Sequence, residues 1–243
     1  MSGILINPYA FGTSTPPEPS IVTDGLIGNY DADNTSTSSW TDLAAGITGQ
    51  DHTLTLTNTT YASIGGINAF YTNGTNAYFG VNASYTGDVY KINTMLDYTM
   101  EIWYRSSGSY INTGNLFNFG YNQGSRLRFD SSGNSWVYAP SISTGNLGGA
   151  WATNTWFQLV VTMENLGSTN DSLKVYKNTV LVGTDTTGNY NPTDSTTGIL
   201  FGSYNSSSER GRFFYSIIRR YNRPLSSAEI TQNYDVVKSR FGY

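Results

Sequence analysis

One stretch restricts the fold more than any other. Trp156-Phe157-Gln158-Leu159-Val160-Val161-Thr162-Met163 is apolar almost from end to end. A short run of this kind reads as a central strand covered on both faces. Other segments alternate with period two. In Met100-Glu101-Ile102-Trp103-Tyr104-Arg105, Met100, Ile102 and Tyr104 share one face, and Glu101, Trp103 and Arg105 share the other. Leu116-Phe117-Asn118-Phe119 sets both Phe rings on one side. Arg126-Leu127-Arg128-Phe129-Asp130 alternates charge with apolar bulk. Ser131-Ser132-Gly133-Asn134 then turns it into Ser135-Trp136-Val137-Tyr138, which predicts a hairpin. A second hairpin joins Leu173-Lys174-Val175-Tyr176 to Val180-Leu181-Val182 through Lys177-Asn178-Thr179. Asn tolerates positive φ and β-branched Thr resists it, so one left-handed residue is expected there rather than a two-residue type I′ turn. Short strands, steadily spaced turns and no internal repeat predict an all-β sandwich or barrel.

The end of the chain departs from that pattern. Ser226 and Glu229 have the Ser-x-x-Glu spacing of a capping box, in which the hydroxyl and the carboxylate each satisfy a free amide. Leu225 and Ile230 are placed to pack as a hydrophobic staple, and Pro224 stiffens the entry. Ile230, Tyr234 and Val237 recur at helical spacing, so a short C-terminal helix is expected to lie against the sandwich as a lid.

Composition excludes several function classes. Only 12% of residues are charged and the net charge is −4, with no Lys/Arg run, so nucleic-acid binding is not expected. No apolar run reaches the roughly 18–20 residues of a membrane span. Cysteine is absent, which removes disulfides, thiolate metal sites and thiol nucleophiles. The 19 Tyr, with many Thr, Ser, Asn and Gly, form a neutral, hydrated surface suited to sugars or to other subunits, a homo-oligomer included. The opening MSGILINPYAFG lacks the positive n-region of a secretory signal, so synthesis in a cytosol is expected. Residues 1–20 stand apart from the domain at 21–243. Ile4, Leu5, Ile6, Tyr9 and Phe11 make an apolar tip, and Gly12–Ser20 is a Pro-rich spacer, together readable as a docking arm or as a frayed or edge-strand segment.

Tyr221-Asn222-Arg223-Pro224-Leu225-Ser226-Ser227-Ala228-Glu229-Ile230 resembles the "YNRxLSxxEI" ending of laminin-G-like, or concanavalin A-like, jelly-roll domains. Gly25-Leu26 with Tyr30-Asp31-Ala32, Trp40-Thr41-Asp42-Leu43, Thr99-Met100-Glu101-Ile102-Trp103, Asn154–Thr162 and Leu173–Gly183 resemble the family's earlier segments in the same order, with Thr179 where Gly is usual. The resemblance covers about residues 21–240. It implies an antiparallel two-sheet jelly-roll sandwich. The tip, the spacer and "PSIVTDGL" also resemble laminin-G-like virion proteins of tailed bacteriophages. That implies a capsid-decoration, fibre or tail-associated component on the virion surface, made in the host cytoplasm and held by its arm to other virion proteins. The alternative is a free carbohydrate-binding module.

No catalytic constellation stands out. β-Glucan-cleaving enzymes of this fold resemble one another in an E-x-D-x-E strand that sets two carboxyls about 5 Å apart, whereas Glu101 stands alone on its strand. The single histidine, His52, is expected in a polar loop, which excludes multi-His metal sites. A non-enzyme without a cofactor is expected. Calcium is compatible with Asp31, Asp33, Asp130 or Asp171, although Asp in turns also bonds its own backbone. If their strands share one sheet, Glu101, Trp103, Arg105, Arg126, Arg128, Trp136 and Tyr138 form a face where rings stack on sugars of host glycans and charged groups bond hydroxyls. The competing reading makes these residues ordinary sheet stabilisers, with Trp103 and Trp156 serving the core.

Overall fold

The computed structural model describes residues 20–48, 52–81, 97–108, 114–119, 126–129, 135–139, 142–146, 151–167, 171–186, 188, 199–203 and 209–243, with only the backbone at 47–48, 119, 135–139 and 142–146. In chain order the strands are β1 (Leu26–Asp31), β2 (Thr55–Thr57), β3 (Thr60–Ile64), β4 (Ile67–Asn73), β5 (Tyr78–Gly80), β6 (Tyr98–Ser106), β7 (Gly114–Phe119) and β8 (Arg126–Phe129). They continue with β9 (Ser135–Ala139), β10 (Ile142–Asn146), β11 (Trp156–Glu164), β12 (Ser172–Lys177), β13 (Val180–Asp185), β14 (Ile199–Phe201) and β15 (Arg212–Tyr221). A four-residue helix α1 (Ala45–Thr48) follows the first strand, and α2 (Ser227–Val237) closes the chain with a 3-10 turn, Lys238–Phe241.

The strands form two antiparallel sheets. The first runs β13-β12-β11-β6-β15-β4-β3, and the second runs β10-β9-β8-β7-β14-β5-β2. β15 is the hub of the first sheet. One edge pairs with β6, and the other is shared by β4, along Arg212–Tyr215, and β1, along Ile217–Tyr221. The main core lies between the sheets and includes Trp40, Phe70, Phe79, Tyr104, Phe117, Phe129, Leu159, Phe213 and Tyr215. Each such side chain contributes roughly 1.5–3 kcal/mol by leaving water. Tyr215 spans the gap and donates its hydroxyl to the Leu116 carbonyl at 2.7 Å.

β11 is internal and buried on both faces, as its apolar run requires. Its Leu159, Val161 and Met163 enter the main core, whereas Val160 and Trp156 join two smaller clusters on the other side. Those smaller clusters lie beneath α2, which covers the outer face of the first sheet. The predicted cap is present: Ser226 Oγ accepts from the Glu229 amide at 3.3 Å, and Glu229 Oε2 accepts from the Ser226 amide at 2.8 Å. Leu225 and Ile230 are both buried in one cluster.

One local expectation needs correction. In the β12–β13 turn both Asn178 (φ 47°) and Thr179 (φ 70°) are left-handed, and Lys177 pairs with Val180. This is the two-residue turn that Thr179 was expected to resist. Asn178 imposes it, because its amide donates to the Gln158 carbonyl and its Oδ1 accepts from the Gln158 amide, each at 2.9 Å. In β7 a bulge between Asn115 and Phe117 turns Leu116 into the core as well as Phe117, and the side chain of Phe119 lies outside the described residues.

Candidate functional site

The seven residues expected to form one face are divided between the two sheets. Glu101, Trp103 and Arg105 lie on β6 of the first sheet, and Arg126, Arg128, Trp136 and Tyr138 lie on β8 and β9 of the second. The shared-sheet expectation is therefore corrected: the C-terminal helical segment takes up Glu101 and Trp103 of the first group, and the second lies on the other sheet.

Glu101 and Trp103 have no exposed surface. Trp103 stacks on Phe241 at 4.0 Å and on Tyr234 at 5.5 Å, both contributed by the C-terminal helical segment. Glu101 Oε1 accepts from Arg219 at 2.9 Å and from Gln158 at 3.0 Å, and its Oε2 accepts from Asn233 of α2 at 2.9 Å. Asn233 also donates to the Tyr221 hydroxyl at 2.9 Å and accepts from the Val22 amide at 2.8 Å. One buried polar network thus fastens α2 and the segment entering the domain to the same sheet. Burial, helped by the Glu101 charge, pushes the Tyr221 phenol far above its ordinary pKa. Arg105 is half-buried, bonds Asn154 at 3.4 Å and stands over Phe214, which stacks on Tyr71 at 4.5 Å.

The second group is arranged differently. Phe129 and Leu127 fill the core, so Arg126 and Arg128 project from the outer face, with 23% and 26% of their side chains exposed. Glu209 lies between them, 3.5 Å from Arg126 Nη1 and 3.9 Å from Arg128 Nη1. It is held by Asn115, whose side chain donates to Oε2 at 2.8 Å and whose amide donates to the Glu209 carbonyl at 3.0 Å. Glu209 itself is left-handed at φ 48°, an unusual conformation for a non-glycine residue. Gly114 allows the close approach, since a Cβ there would meet the Gly211 Cα at 2.7 Å. By register Arg126 opposes Tyr138 and Arg128 opposes Trp136, so these four positions share one face. The side chains of Trp136 and Tyr138 lie outside the described residues, as do the arm positions Ile4, Leu5, Ile6, Tyr9 and Phe11.

Asn115 and Glu209 were not legible as site residues. They are 94 positions apart, and no local pattern links them. His52 also differs from expectation. It lies in a loop, as expected, but is buried there, with Nδ1 3.5 Å from Asp42 Oδ2, close to the Trp40–Leu54 bridge. Of the carboxylates considered for calcium, Asp31 and Asp33 lie 2.7 and 3.1 Å from Arg240 Nη1, and Asp171 accepts from the Leu166 amide at 2.7 Å. Asp130 lies outside the described residues. Among the described residues no three His, Asp or Glu side chains gather as a metal would need.

Several solved structures share this fold. The sialidase of Trypanosoma rangeli in complex with sialic acid matches with a TM-score of 0.67 at 16% identity, over 92% of this chain and 34% of that one. The binding domain of botulinum neurotoxin serotype D matches at 0.62 and 18% identity, over 87% of this chain and 52% of that one. Domain 4 of AbnA, an extracellular arabinanase from Geobacillus stearothermophilus in complex with arabinotriose, matches at 0.62 and 18% identity, over 87% and 97%. At these identities the likeness is one of fold, and the chain spans about a third of the sialidase's length. No curated protein matches at the level of sequence. The family model described as the concanavalin A-like lectin/glucanases superfamily, Laminin_G_3, matches residues 80–231. That is more than half of the chain, and the chain belongs to this laminin-G-like family.

Proposed function

We propose that the chain is a non-catalytic carbohydrate-binding module that holds glycans on the outer face of its second sheet. The observation that carries this reading is the Arg126–Glu209–Arg128 row, solvent-reachable and braced by Asn115. Guanidinium and carboxylate groups set side by side suit the alternating donors and acceptors of sugar hydroxyls, and the register adds Trp136 and Tyr138 to the same face. The reading is supported by the arabinanase domain found with arabinotriose, which shares the fold. The non-catalytic part rests on Glu101, whose carboxylate is engaged by three side chains beneath α2. In its fuller form, the arm of residues 1–20 carries the module on a virion surface, where many copies convert weak sugar contacts into avidity.

A glycan array that includes arabino-oligosaccharides and sialylated glycans tests the core of this reading. The full chain should bind at least one glycan class, and Arg128→Ala should weaken that binding about tenfold or more, or at least 1.4 kcal/mol. Unchanged binding removes the face from consideration. Deletion of residues 1–20 should leave a folded domain that no longer joins the particle.

A further inference from the structure

On the opposite side of the molecule, the start of α2 overhangs β11 and β12 and leaves a cleft of about 310 Å³. Its walls are held in place before any ligand arrives. Thr99 Oγ1 donates to the Arg223 carbonyl and accepts from the Leu225 amide, both at 2.8 Å, and Arg223 bonds Glu229 at 2.6 Å. A wall fixed in this way loses little freedom on binding.

Three polar side chains in the cleft have no partner among the described residues. Lys174 and Glu164 both line it, and the side chain of neither makes a hydrogen bond or ion pair among the described residues. Lys174 opposes Thr162 in the ladder, and Glu164 lies two residues further along β11. The two are diagonal cross-strand neighbours with Cα atoms about 7–8 Å apart, yet they do not pair. Tyr176, with only 8% of its surface exposed, also lines the cleft, and its hydroxyl has no partner among the described residues. The capping box occupies the amides of Ser226 and Glu229 and leaves that of Ser227, at the positive end of α2, as an open donor on the cleft wall.

We infer that this cleft binds a small zwitterion, a free α-amino acid held at both charged ends. One unpaired cation and one unpaired anion on a single face, a ligand's width apart, complement a molecule bearing both opposite charges. Lys174 and the Ser227 amide take the carboxylate, Glu164 takes the ammonium, and the Tyr176 hydroxyl gains a partner. The site lies on the other sheet from the Arg126–Arg128 face and does not depend on the glycan reading.

Titration of the 15N-labelled full chain with L-serine, followed by amide chemical shifts, tests it. Amides of Lys174, Glu164 and Ser227 should shift at millimolar ligand. N-acetyl-L-serine, which lacks the ammonium, and L-serine methyl ester, which lacks the carboxylate, should each bind at least tenfold more weakly. Lys174→Gln and Glu164→Gln should each weaken L-serine binding to a similar degree while circular dichroism stays unchanged, and Arg128→Ala should leave it intact. No shifts with L-serine, equal binding of either blocked derivative, or full binding by both Gln variants would overturn the proposal.

Discussion

The outer faces of the two sheets start from similar sequence and end in opposite states. β6 offers Glu101, Trp103 and Arg105 opposite its core residues, and β8 offers Arg126 and Arg128 opposite Leu127 and Phe129. On the first sheet the C-terminal helical segment lies over Glu101 and Trp103, so Glu101 becomes half of a buried ion pair and Trp103 the centre of an aromatic stack. Among the described residues no helix covers the second sheet, and its arginines stay within reach of solvent. A polar, aromatic face opposite the core is therefore no sign of a binding site until its cover is known. The same side-chain chemistry serves stability on one sheet and is available for contacts on the other.

The comparison can be broken most decisively at Glu101. Glu101→Ala leaves Arg219 buried without its carboxylate and should cost about 3–5 kcal/mol in urea unfolding. A loss below about 1 kcal/mol would mean that α2 does not seal this face. The helix cap gives a smaller, pH-dependent effect. Hydrogen bonds from Arg223, followed by those from Ser226, hold the Glu229 carboxyl at about 2, below its ordinary 4.5. A depressed carboxyl pKa stabilises the fold above the unfolded-state value, so the contribution is complete above about pH 4.5 and disappears as pH falls through about 2. Because 28% of the Glu229 side chain is exposed, solvent screening limits the effect to about 1 kcal/mol. Glu229→Gln should lose that amount at pH 7 and almost nothing at pH 2, as measured by thermal unfolding at both.

Thr179→Gly should stabilise the domain by about 0.5–1 kcal/mol, since glycine adopts the left-handed turn without steric cost. Destabilisation by this substitution would show that Thr179 makes a compensating contact. The smallest stability change belongs to the open face. Arg126→Ala should alter unfolding by less than about 0.5 kcal/mol while weakening glycan binding. A stability loss above about 2 kcal/mol would place Arg126 with the sealed residues instead.

Local patterns carried much of the fold. The unbroken apolar run of β11 announced a doubly covered strand, and Ser226 with Glu229 announced the helix start, because each depends on residues adjacent in the chain. Alternation also sorted residues facing between the sheets from those on the outer faces of β6 and β8. It gave no sign of the bulge in β7, and at Thr179 the contacts between Asn178 and Gln158 override the intrinsic preference. The candidate site was half legible. Arg126 and Arg128 could be picked out, but Glu209, which organises them, arrives from another part of the chain.

The amino-acid order by itself determined the strands, their inward faces and the terminal helix, since hydrophobic burial and capping act over a few residues. Only the tertiary structure decided which sheet each strand joins and which outer face the helix covers. Those outcomes depend on pairings between distant segments, such as Glu101 with Arg219 and Asn233, whose energies no local pattern records.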